Sequence, residues 1–101
     1  MTSNELETSA CSGAPMPANL SPALTALWMA RAGQWDAAHD QCQIIKGSAG
    51  SWIHAHLHRL EGDHPNAAYW YSLAGQPVPP HTLTIDQEWH QIVTALLEKS
   101  R

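Results

Sequence analysis

The sequence predicts an all-α protein: two helix-turn-helix units in series, followed by an amphipathic C-terminal helix, about five helices in all. Three observations carry this. Shifting the chain by 29 residues places Gly33 on Gly62 and Ala38 on Ala67. Helix-start signals stand at Ser21-Pro22, Ser51, Asp63 and Thr84. From residue 85 onward, Ile85, Trp89, Ile92, Val93, Leu96 and Leu97 fall on one helical face.

Residues 1–19 are small and polar, contain Pro15 and Pro17 and show no period, so they are expected to form a flexible N-terminal arm. Residues 20–101 are expected to form one all-helical domain with hairpins at 21–46 and 51–75 and a C-terminal helix at 84–99. In the first hairpin, Ser21 caps a helix that stops at Gly33. A second helix follows at once and ends near Lys46-Gly47, a cation and a glycine that suit a helix C-terminus. In the second hairpin, Ser48-Ala-Gly-Ser51 reads as a turn and cap, the helix from Trp52 ends at Gly62, and Asp63 caps the next, which ends at Gly75. Pro77, Pro79 and Pro80 forbid helix before Thr84-Ile-Asp-Gln87, a capping box that opens the last helix.

Composition sets limits on function. Apolar residues make up 44% of the 101 and charged residues 14%, which is globular rather than disordered. A net charge of -4 with five Lys and Arg argues against nucleic-acid binding and against a polybasic membrane signal. No run approaches the length of a membrane span. The first residues carry acids where a secretion signal needs bases. The two cysteines sit in dissimilar settings, Cys11 in a Ser/Gly/Pro stretch and Cys42 in a helical pattern, so no disulfide framework is expected. A cytoplasmic protein without a cofactor is the expectation.

The second unit carries Ala55, Gly62, Ala67, Tyr71, Ala74 and Pro79, and the first Ala26, Gly33, Trp35, Ala38 and Cys42. In that spacing the chain resembles tetratricopeptide-type repeats, although its period is nearer 29 than 34 and Met29 and His58 stand where tyrosine is common. The stretch from Trp52 to Asp63 with Asn66 to Tyr71 is similar to a group of small bacterial proteins, over roughly residues 24–75; this likeness brings no established activity with it. The repeat resemblance implies stacked hairpins and a protein-binding role. Such arrays need about three units to be self-sufficient, so either the C-terminal helix covers the open face of the second unit, or the first unit or the C-terminal helix pairs with a second copy of the protein.

The most unusual chemistry lies in residues 52–61. His54, His58 and Glu61 share one helical stripe at i, i+4 and i+7; Ile53, Leu57 and Leu60 form an apolar stripe beside it, and His56 faces outward with Arg59. On the preceding helix Trp35, His39 and Cys42 share a stripe, which stacking would bring toward His54 and His58. Three arrangements fit. The histidines are hydrogen-bonded core residues, for which Glu61, Asp63, a tyrosine or backbone carbonyls are available partners. Alternatively, they line a ligand or partner surface with Trp35, Tyr69, Trp70 and Tyr71. Or His54, His58 and Glu61 hold a metal ion, for which the i, i+4 spacing is suitable, although the zinc-protease pattern is absent, with Ala55 where its glutamate would stand. Cys42 near His39 reads as a packed thiol, and no arrangement of catalytic residues is recognisable. The expectation is an interaction or scaffold module binding a protein or itself, possible homodimer included, rather than an enzyme; the alternative is a small ligand- or metal-binding protein or enzyme using His39, His54, His58 and Glu61.

Overall fold

The computed structural model describes residues 1–99. Among them the chain forms six helices and no strand: α1 (Ser3–Cys11), α2 (Pro22–Arg31), α3 (Trp35–Cys42), α4 (Ser48–Glu61), α5 (His64–Ala74) and α6 (Ile85–Lys99). None is long and apolar enough to cross a membrane.

The two hairpins, α2–α3 and α4–α5, turn in the same way. Gly33 and Gly62 both adopt positive φ, 81° and 87°. At each, the next residue's N–H reaches back to the carbonyl five residues earlier, Gln34 to Met29 and Asp63 to His58, both at 2.9 Å. The glycine's own N–H bonds to Ala30 or Arg59. This double bond pattern satisfies the last carbonyls of the first helix, and only glycine enters its left-handed position without steric penalty. The predicted caps also form: Ser21 Oγ accepts from Leu24 N–H, Asp63 from Asn66 N–H, and Thr84 and Gln87 bond reciprocally.

Two expectations are corrected. The first concerns residues 1–19. Thr2 and Glu5 form a capping box at 2.9 and 3.2 Å, and α1 follows. Nine residues make a marginal helix in isolation, but Leu6 is 0% exposed and Ala10 is buried beside it in the main core. Ser9 Oγ accepts from Trp28 Nε1, Glu7 takes two hydrogen bonds from Arg31, and His90 bridges to both Ser3 and Glu7. Docking, not periodicity, makes this segment a helix.

The second concerns Ser48-Ala-Gly-Ser51, which is the first turn of α4 rather than a turn ending in a cap at Ser51. Gly47, at φ 82°, precedes it. Gly50 is buried so closely against the preceding segment that a Cβ there would lie 2.3 Å from the Ile45 carbonyl oxygen.

The helices form layers. α2 and α4 pack side by side in the middle; α3 packs on both from one side, while α5 packs its length on α4 and reaches α6 through Tyr71. α6 crosses the opposite side, against α2 and α4, with α1 beside it on α2 and α6. The main core lies between α1, α2, α4 and α6, where Leu27, Ile53, Leu57, Trp89, Ile92 and Val93 are fully enclosed. Burial of each large apolar side chain contributes about 1.5–3 kcal/mol. A smaller cluster of Ala55, Ala67 and Tyr71 joins α4 to α5. The small residues Ala26, Ala38, Ala55 and Ala67 are all buried where helices approach closely.

Candidate functional site

The stacking of α3 on α4 determines the site. Trp35 and His39 lie one turn apart on α3, and the Trp35 indole N–H donates to the Leu57 carbonyl of α4 at 2.8 Å. That bond fixes the indole, on which the His39 ring stacks at 4.9 Å and 13°. His54 and His58 are one turn apart on α4, their rings near-parallel with centroids 4.8 Å apart. Trp70 of α5 lies flat on His54 at 3.8 Å and 11°. His39 Nε2 and His54 Nε2 are 3.0 Å apart, sharing one proton, and His58 Nδ1 donates to Glu61 Oε2 at 3.0 Å. One ring nitrogen from each of His39, His54 and His58 lies within 4.8 Å of the other two.

The structure therefore brings together Trp35, His39, His54, His58, Glu61 and Trp70. Tyr69 is not in the cluster: it is exposed and meets only the edge of Trp70, at 5.3 Å and 87°. Tyr71 faces the opposite way, into the core. Burial, then the neighbouring His39 and His58, pushes the His54 pKa down to about 4, so this imidazole is neutral over the physiological range and keeps a lone pair. Cys42 donates to the His39 carbonyl at 3.1 Å, and burial together with Asp40 pushes its pKa up to about 11. It stays a thiol, and packing is its role.

Sequence reasoning misplaced one histidine and missed its partner. His56 does not face outward; it is fully buried toward α6, where its Nδ1 lies 2.7 Å from Glu88 Oε1. Arg59 reaches the same carboxylate at 3.2 Å and also donates to the Leu83 carbonyl, and the Tyr71 hydroxyl donates to Glu88 Oε2. Leu60, on the apolar stripe with the buried Ile53 and Leu57, is itself exposed. Burial alone would raise the Glu88 pKa, but the bonds and charge of His56, with those of Tyr71 and Arg59, hold it below the usual carboxylate value. Burial and Glu88 together raise that of Tyr71. One signal was available: Glu88 stands three residues after Ile85 and four before Ile92, within the apolar stripe. A lone acid there needs buried partners.

This second network spends its polar atoms on one another, and no described buried side-chain nitrogen or oxygen lacks a partner. It holds α4, α5, α6 and the proline-rich segment in register. A cleft of about 370 Å³ reaches Glu88 from outside, between Trp52, Pro77, Val78, Leu83 and Gln91, away from the histidine cluster. Of the two polar groupings, the histidine cluster is the one that gathers three imidazoles without a buried charge at its centre.

No protein-family model matches this chain, and comparison with curated proteins and with solved structures finds no match either.

Proposed function

We propose that this chain is a non-enzymatic helical-hairpin interaction module, tetratricopeptide-like in plan, that pairs with a second copy of itself through the outer face of α5. One observation carries the reading. From His64 to Ala74, α5 has no Asp, Glu, Lys or Arg, yet its outer face is open, with Tyr69 59% and Leu73 53% exposed beside Ala68 and Ser72. A helix facing only water normally carries charge on its outer side. α6 does so, with Asp86 and Glu98, and α3 with Asp36 and Asp40. Loss of charge together with exposed tyrosine and aliphatic side chains is the composition of an interface centre.

The choice of a second copy follows from the same property. A two-fold contact sets each residue near its own image, so a charged face repels itself, and this face has no Asp, Glu, Lys or Arg to do so. The layering supports the assignment as well: α6 covers α2 and α4 on one side, while α5 has no helix on its outer side. The matched turns at Gly33 and Gly62 support the repeat-like plan.

Sedimentation velocity and light scattering over about 1–100 μM protein, the range that resolves micromolar dimers, test the proposal. The expected mass is that of two chains, and the expected Tyr69→Glu/Leu73→Glu variant is a monomer with unchanged far-UV circular dichroism. A wild-type monomer throughout, or a dimer that survives both substitutions, would refute it.

A further inference from the structure

We propose that His39, His54 and His58 form a binding site for a divalent late-transition ion such as Zn²⁺, a clamp that ties α3 to α4. The geometry points to this independently of pairing through α5. Three imidazoles from two helices converge, one ring nitrogen of each within 4.8 Å of the other two and the closest pair 3.0 Å apart. In a tetrahedral site with bonds of 2.0–2.1 Å, ligand nitrogens stand about 3.3 Å from one another. The His39–His54 pair is already near that spacing, and the remaining separations, at most 4.8 Å, close by side-chain rotation of His58.

The surroundings are those of ligands held in place. A metal-binding histidine is usually oriented through its other ring nitrogen by a carboxylate or carbonyl. Glu61 does this for His58, since a proton held on Nδ1 leaves Nε2 as the lone-pair nitrogen. The Gln43 side-chain amide nitrogen sits 3.3 Å from His39 Nδ1, and a flip of that amide brings its oxygen there to do the same. His54 is held by the flat face of Trp70, and His39 by Trp35, itself anchored to Leu57. The proton between His39 and His54 occupies the position the ion would take; when the ion enters, the ring that carried it on Nε2 carries it on Nδ1 instead, and at His39 that Nδ1–H donates to the Gln43 side-chain oxygen once the amide has flipped. Hydrogen bonding alone requires only the His39–His54 pair. It does not account for a third imidazole, oriented by its own carboxylate, beside them.

The donor set selects the ion. Three imidazole nitrogens suit Zn²⁺, Co²⁺, Ni²⁺ or Cu²⁺, whereas Mg²⁺ and Ca²⁺ require oxygen ligands. His39 is only half-buried, so its side of the cluster gives the ion access and leaves room for water as fourth ligand.

The test uses the full chain stripped with EDTA and titrated with ZnCl₂ by calorimetry near neutral pH. CoCl₂ serves as a spectroscopic probe of tetrahedral nitrogen ligation, and NiCl₂ as a quencher of the adjoining Trp35 and Trp70. One ion per chain is expected. His39→Gln, on the half-buried side and so least disruptive to folding, is expected to lose affinity by about 100-fold or more. Glu61→Gln is expected to lose about 10–100-fold, the usual range for an orienting carboxylate, while melting of its metal-free form is unchanged. His64→Ala and His81→Ala, at exposed histidines elsewhere, are expected to bind as wild type does. The proposal is overturned if wild type takes up no Zn²⁺ at about 100 μM free ion, or if His39→Gln binds as tightly as wild type. Half an ion per chain that becomes none in Tyr69→Glu/Leu73→Glu would also overturn it, because the ion would then sit between copies.

Discussion

Replacing Glu88 by alanine removes the acceptor for three buried donors at once. His56 Nδ1 at 2.7 Å, Arg59 at 3.2 Å and the Tyr71 hydroxyl all converge on a carboxylate that is 2% exposed. Its loss leaves the Arg59 charge without its ionic partner in a largely buried setting and two further donors unmet. Removing one member of a buried ion pair costs about 3–5 kcal/mol. Against a total of about 5–15 kcal/mol for a domain of this size, Glu88→Ala should lower Tm by about 12–40 °C, at ~4–8 °C per kcal/mol. Urea titration at pH 7, followed by circular dichroism and tryptophan fluorescence, reads the change as a lower midpoint with an unchanged slope. A second variant, Glu88→Leu/His56→Leu/Tyr71→Phe/Arg59→Met, removes the carboxylate and its three donors together and should recover most of the loss, because of the groups in this network only the Leu83 carbonyl then lacks its bond. The pH dependence has a definite sign. The folded pKa of Glu88 lies below its ordinary 4.5, so this contribution is full above about pH 4.5 and disappears as pH falls through the folded value. The quadruple variant should lack that acid limb. A Glu88→Ala loss below about 1 kcal/mol would refute the reasoning.

Leu6→Ala should destabilise the protein by about 2–4 kcal/mol, because Leu6 is fully enclosed by the main core; urea unfolding with no detectable change would show α1 undocked in solution. In metal-free protein, the lowered pKa of His54 makes part of the stability depend on its being neutral. That part is complete above about pH 6.5 and is lost as pH falls toward about 4, on the order of 2 kcal/mol. Melting scans of wild type and His54→Leu between pH 7.5 and 5 should converge in acid, and parallel pH profiles would contradict this.

Much of this protein is written in local sequence. Cap and turn residues act through bonds to backbone within a few positions, so Ser21, Gly33, Gly62, Asp63 and Thr84 mark helix ends directly. The stripe from Trp89 to Leu96 marks which face of α6 is buried, since helical period alone determines which side chains share a face. The same period places His54 and His58 together on α4, and His39 on the facing stripe of α3.

Distances across the fold are another matter. That His39 comes within 3.0 Å of His54 depends on how α3 lies on α4, which the close approach at Gly50 and the Trp35–Leu57 bond help to define. α1 has a cap signal but too short an apolar pattern to declare itself, and only the core beside Leu6 makes it a helix. His56 was read as outward because an isolated helix gives a polar residue beside Arg59 no reason to be buried. The reason is Glu88, 32 residues later, and neither side chain is tolerable in the core without the other. Local sequence marked α2 to α6 and most of the faces they offer. Tertiary structure decided which polar groups meet, because burying a charge becomes affordable only when its distant partners arrive with it.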